Sequence, residues 1–306
     1  MKQINRITIA TLIFVAFFAE MVYAQPKILK KENQIIFQPG IKPGTILKYK
    51  ITSQRMTQSE EDSAQSSSNS YVMEMQFISL NKEKARFRLG FSESPDTLLN
   101  QLMEGAYASV IFNFENGEST VERKEQFAQA ITDNADRILS QNSIDSTASI
   151  RLADMALKLS DHASIDDLSY EIQYVMNFYH RTYPYETVVS DSVEVKDLLG
   201  DPAYSRISYG VSRKKKAYIL RFAKTRDTTG DMQKMMSQAL EEKFGEGAEI
   251  ISTDNHYTQD QPGEYTRYDV TFDKKTGIIQ SFIRDEQKSV FSLLINSKKS
   301  LQLITD

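Results

Sequence analysis

The chain has 306 residues, no cysteine, no tryptophan and a formal charge of −4 at neutral pH. Mild acidity excludes a nucleic-acid binder, which needs a basic face. The missing thiol excludes disulfides, cysteine nucleophiles and a lipoprotein acylated on cysteine, while the length allows one large core or two small ones.

The first 24 residues read as an export signal. Lys2 and Arg6 precede an apolar run over residues 7–19, and Val22 and Ala24 put small side chains where a signal peptidase cuts, before Gln25. The run is short for a membrane span and no comparable stretch follows, so the cleaved chain is not expected to be an integral membrane protein. There is no Asn-x-Ser/Thr acceptor either, and a bacterial periplasmic or secreted protein fits these features.

Residues 25–43 form an extended lead-in broken by Pro39-Gly40 and Pro43-Gly44. Residues 44–123 carry a first β-meander half. Leu47, Tyr49 and Ile51 alternate with lysines, then Tyr71, Met73, Met75 and Phe77, then Ala85, Phe87, Leu89 and Phe91. Between the first two runs, residues 58–70 hold no large apolar side chain and are expected to be a mobile hairpin loop. A short helix over 97–104 and a strand over 107–114 follow, ending at Asn116-Gly117.

The period then changes. Residues 124–183 are expected to be helical: Phe127, Ile131, Ala135 and Ile138 recur at helical spacing, and a second helix spans 146–159. A third begins at Ser164, with Asp167 as a capping partner, and runs until Pro184 ends it. It is apolar over a wide arc, with Tyr170, Tyr174 and Phe178 as an aromatic stripe.

Residues 184–306 make a second β-meander half with one helix. Strands are expected at 187–189 and 193–195, a hairpin at 204–223 around Arg213-Lys-Lys-Lys216, and a helix at 229–244 faced by Met232, Met235 and Met236. A strand at 248–252 leads to a final hairpin. There Tyr268, Val270 and Phe272 alternate with polar residues before the turn Asp273-Lys-Lys-Thr-Gly277. Residues 290–295 add one more strand. Residues 83–91 and 215–223, with the turns at Gly117 and Gly277, share an order that suggests an internal duplication.

Reactive signatures are sparse. His162, His180 and His256 lack metal-ligand spacing, and no nucleophile elbow, phosphate loop or calcium loop is present, so no cofactor is expected. The fold class is α+β: antiparallel meanders in a curved sheet or incomplete barrel, with helices on one face. Signal, meanders and one-sided helices together resemble the periplasmic lipoprotein-carrier type of incomplete barrel. That resemblance implies capture of an acyl chain between sheet and helices. Tyr170, Tyr174, Phe178, Met232, Met235 and Met236 are the candidate ligand-binding residues, because aromatic rings and methionines adapt to apolar ligands. The expected activity is non-enzymatic binding of a hydrophobic small molecule or lipid. Two alternatives stand beside it, an envelope interaction or scaffold protein and a carboxylate-dependent hydrolase.

Overall fold

The computed structural model describes residues 27–29, 32–59, 64–141, 145–196, 202–226, 264–290 and 293–304. The export signal, the 229–244 helix, the 248–252 strand and His256 lie outside the described residues.

Among the described residues, fourteen strands, β1 to β14, run in chain order as Lys27–Leu29, Gln34–Ile36, Ile46–Ser59, Gln65–Leu80, Lys84–Ser92, Ala108–Asn113, Ser119–Glu122, Thr182–Pro184, Val189–Lys196, Pro202–Arg213, Ala217–Arg226, Glu264–Asp273, Ile279–Val290 and Leu293–Leu303. The described helices, α1 to α5, are Thr97–Met103, Lys124–Gln141, Ser146–Ser160, His162–Leu168 and Tyr170–Met176. The strands form an open, curved sheet of 11 strands in the order β7-β6-β5-β4-β3-β14-β13-β12-β11-β10-β9, beside a 3-stranded sheet β1-β2-β8. The expected α+β class is therefore correct. Two consecutive meanders are joined at the sheet's centre by β3 and β14, whose register pairs Ile51 with Leu301.

One face of the large sheet is apolar because alternate residues of every strand point there. Across its second half the row Ile51, Leu301, Phe282, Val270, Leu220, Val211 lies in direct register. All six are buried. Each contributes about 1.5–3 kcal/mol by leaving water. Helix α2 adds Phe127, Ile131, Ala135 and Ile138, the spacing its sequence predicts.

Four expectations need correction. The polar stretch 58–70 is mostly strand: β3 runs to Ser59 and β4 begins at Gln65, with Thr57 opposite Gln65. A ladder bonded on both sides of β3 holds the backbone where side chains add little. The single third helix is two. Asp161, not Ser164, caps α4, accepting from the amides of Ala163 and Ser164 at 3.1 and 3.2 Å. Buried Ser169 then interrupts the helix, its hydroxyl donating to the Asp166 carbonyl at 2.7 Å. Pro184 ends no helix, because α5 stops at Met176 and Pro184 closes strand β8. Finally, the strand expected at 290–295 is present with other bounds: β14 runs from Leu293 to Leu303, and Val290 ends β13. In α3, the row containing Ile150 and Leu157 faces solvent, while Leu152 is buried.

The two halves share an order of three strands, a connection and a hairpin. Their hairpin turns are alike. The Gly117 amide donates to the Asn113 carbonyl and the Gly277 amide to the Asp273 carbonyl, both at 2.9 Å. Both glycines take positive φ, 73° and 68°, which side chains disfavour.

The halves are covered differently. Helices roof the first. Over the second lies the lead-in: Phe37 stacks on Phe272 at 3.6 Å, with Tyr183 and Tyr218 each 6.0 Å from Phe37. Between the covers, Tyr49 donates to the Ile279 carbonyl and the Ile279 amide donates to Tyr179, each at 3.0 Å. Ile279 sits beside an irregularity in the β12–β13 register, so two buried phenols replace ladder bonds there. Burial pushes both phenols well above their ordinary pKa.

Candidate functional site

Where the helical roof meets β4 and β5, the packing leaves a hollow of about 250 Å³. Its apolar walls are Tyr71 and Phe91 from the sheet, Leu99 and Met103 from α1, Leu159 from α3 and Leu168 from α4. Short helix α1 forms one wall, and it is pinned at both ends. Asp96 caps it, accepting from the amides of Leu98 and Leu99 at 3.0 and 3.3 Å, and it also pairs with Arg151 of α3. Asn100 exchanges two hydrogen bonds with the backbone of Ser94, both 2.7 Å. At the far end, the Asn134 amide group donates to the carbonyls of Leu102 and Glu104 at 2.8 and 2.9 Å. A larger hollow, about 530 Å³ and lined partly by Glu74, Tyr107 and Arg137, lies across α1 and shares Phe91 and Met103.

The cavity's other neighbour is polar. Strands β3, β4, β13 and β14 continue beyond α5, and on the helix-facing side their apolar row gives way to polar ones. Asn69, Ser53, Lys299 and Arg284 stand in one register row, and Ser67, Arg55, Ser297 and Glu286 in the next. These rows floor a cleft of about 310 Å³ walled by Tyr174. Asn69 borders both cavity and cleft. Between them, Lys299 donates to Glu171 at 2.6 Å, and its ammonium lies 4.6 Å from the Tyr174 ring centre. Burial, then the charge of Glu171, raises the Tyr71 phenol far above its usual range. Arg284 donates to the Tyr174 hydroxyl at 3.2 Å and to Glu286 at 2.6 Å.

The structure distributes the sequence candidates as follows. Tyr174 lines the polar cleft and lies 5.3 Å from Phe282, and Phe178 packs on the same ring at 5.7 Å. Tyr170 is 57% exposed and borders neither space. Met232, Met235 and Met236 lie outside the described residues. The wall residues Tyr71, Phe91, Leu99, Met103, Leu159 and Leu168 carry no signal in the sequence beyond ordinary amphipathic spacing. The floor residues Ser67 and Asn69 did carry one, because they continue the alternation of Tyr71 and Met73.

Among the described residues no group of three His, Asp or Glu side chains is placed to hold a metal ion. No described helix is long and apolar enough to cross a membrane. His180 points to no chemistry: its ring packs edge-on against Phe114 at 4.5 Å, and burial, with the charge of Lys82, lowers its pKa.

No family model and no curated protein matches the chain. One solved structure, a study of lipid–protein interactions in lipovitellin, aligns with 86% of this chain at 11% identity and a TM-score of 0.38. The match spans 25% of that chain's length. A likeness this loose decides neither fold nor ligand.

Proposed function

We propose that the protein binds a hydrophobic small molecule, lipid-like in class, in the hollow between the sheet and helices α1, α3 and α4. The observation that carries this reading is the apolar wall set by Tyr71, Phe91, Leu99, Met103, Leu159 and Leu168 around about 250 Å³. Six apolar side chains line it beside Asn69, Ser92, Ser94, Asn100, Asp167 and Glu171, and a space at a sheet–helix junction with apolar walls and a few polar groups is where small ligands collect. The N-terminal pattern of charge, apolar run and small residues adds that the protein acts outside the cytoplasm.

Titration with Nile red, an uncharged dye that brightens in apolar surroundings, tests the reading. The wild-type chain is expected to enhance its fluorescence, dodecanol to displace it, and Leu99→Trp to abolish the enhancement by filling the hollow while leaving the unfolding midpoint within a small shift. No enhancement, or an undiminished one in Leu99→Trp, overturns the reading.

A second reading, an interaction protein of the cell envelope, draws on α3. Ile150 and Leu157 stand two turns apart on one face and are 71% and 72% exposed, a cost normally avoided without a partner. Crosslinking in the native host, compared with Ile150→Lys, is expected to lose a specific product if this face is used.

A further inference from the structure

We infer that the ligand is an anionic amphiphile whose carboxylate or phosphate head is held in the polar cleft while its chain enters the apolar hollow. This inference rests on the proposed binding function and names the class of ligand.

Four observations carry it. The cleft and the hollow meet at Asn69, so one molecule can occupy both. On the helix-facing rows of the cleft three cations, Arg55, Arg284 and Lys299, stand against one acid, Glu286. That acid is already engaged by Arg284 at 2.6 Å and Lys288 at 3.0 Å. Glu171, on the wall of the hollow, is engaged by Lys299 at 2.6 Å through Oε1, while its buried Oε2 has no hydrogen-bond partner among the described residues. Arg55, on the floor in register with Ser67 and Ser297, has no acid partner among the described residues. The buried Nε of Arg284 likewise has no acceptor there.

The donor set suits an anion and little else. Guanidinium groups present parallel N–H donors that match carboxylate and phosphate oxygens, and the hydroxyls of Ser53, Ser67 and Ser297 add donors along one wall. Tyr174 restrains the site, because its hydroxyl accepts from Arg284 and its ring lies under the Lys299 ammonium. Polar residues on the helix-facing side of four long strands, where shorter strands would leave none, follow naturally from a head group that must be met at the cavity mouth.

The test is isothermal titration of the full chain with three probes: dodecyl phosphate, dodecanol and inorganic phosphate. Wild type is expected to bind dodecyl phosphate more tightly than dodecanol, and inorganic phosphate far more weakly than either. Arg55→Gln, at an exposed position with no acid partner among the described residues, is expected to weaken dodecyl phosphate by about tenfold, as the loss of one charged hydrogen bond gives. It is expected to leave dodecanol unchanged. Added salt should weaken dodecyl phosphate and spare dodecanol. Equal affinity for the two amphiphiles, with Arg55→Gln silent, overturns the head-group site while the binding function stands. Inorganic phosphate binding as tightly as dodecyl phosphate also overturns it, as an anion site without a chain. Failure of both amphiphiles to bind removes the binding function itself.

Discussion

The two halves of the large sheet show the same pleated surface covered in two ways. On the first half, helices α1 to α4 lay Leu102, Phe127, Ile131, Ile138, Leu152 and Ile165 over the strands, while α5 reaches across to Phe282 of the second. On the second, an extended segment with Ile35, Phe37 and Ile41 does the same work, aided by Tyr179 and Tyr183. The helical cover is uneven, and it leaves hollows beside α1. The extended cover follows the sheet closely and ends in a stacked pair, Phe37 on Phe272. Spaces arise beside both covers, about 250 Å³ under the helices and about 470 Å³ where residues 32–34 of the lead-in meet Tyr183 and Tyr209, but the helices wall the former with six apolar side chains.

Four substitutions break or sharpen that comparison. The largest effect is expected from Phe37→Ala, which opens the second cover at its best-packed contact and costs about 3–5 kcal/mol. Urea unfolding measures the total, and amide exchange should show β11 to β13 losing protection before β4 to β6. Next comes Tyr49→Phe at the seam. It leaves the buried Ile279 carbonyl without its donor and is expected to cost about 1–3 kcal/mol, read from the same unfolding curves.

Asp96→Ala touches only the first half. Loss of the α1 cap is expected to cost about 0.5–2 kcal/mol, and because α1 walls the hollow, Nile red enhancement should fall with it. The smallest effect is a pH dependence at His180, where the chain turns between the two covers with φ of 59°. Its folded pKa lies below the unfolded value of about 6.5, so the unfolded chain takes up the proton first. Stability from this group is whole above that pH and declines as pH falls towards the folded pKa. His180→Asn tolerates the backbone geometry, and unfolding midpoints at pH 8 and pH 5 should lie closer together in the variant than in wild type.

Much of this architecture was legible from local pattern. Tyr268, Val270 and Phe272 announced β12, Asp273 to Gly277 announced its turn, and Phe127 to Ile138 announced α2, because each signal lies within a few residues of the structure it specifies. What escaped was non-local or carried by weak formers. Ser66 to Asn69 are poor strand residues by composition, yet pairing with Ser53 to Met56 of β3 holds them in place. The split at Ser169 depends on its hydroxyl and on contact with Ser119, 50 residues away, with the two hydroxyls 2.9 Å apart. The hollow is defined by four elements meeting, so no single stretch could disclose it. Of the aromatic stripe, Tyr174 stands at the polar cleft, Phe178 packs on Phe282 and Tyr170 is exposed.

The pairing of β3 with β14 also fixes the order in which the molecule comes into being. Residues 46–59 wait for residues 293–303 before the middle of the sheet has its second neighbour. A chain emerging from the ribosome can fold its first meander and its helices, but its central strand keeps an open edge until residues 293–303 have been made. Closing that loop late makes folding slow for its length and leaves a sticky ribbon meanwhile. A variant lacking the last strand is expected to aggregate, not to persist as a smaller version of the native form.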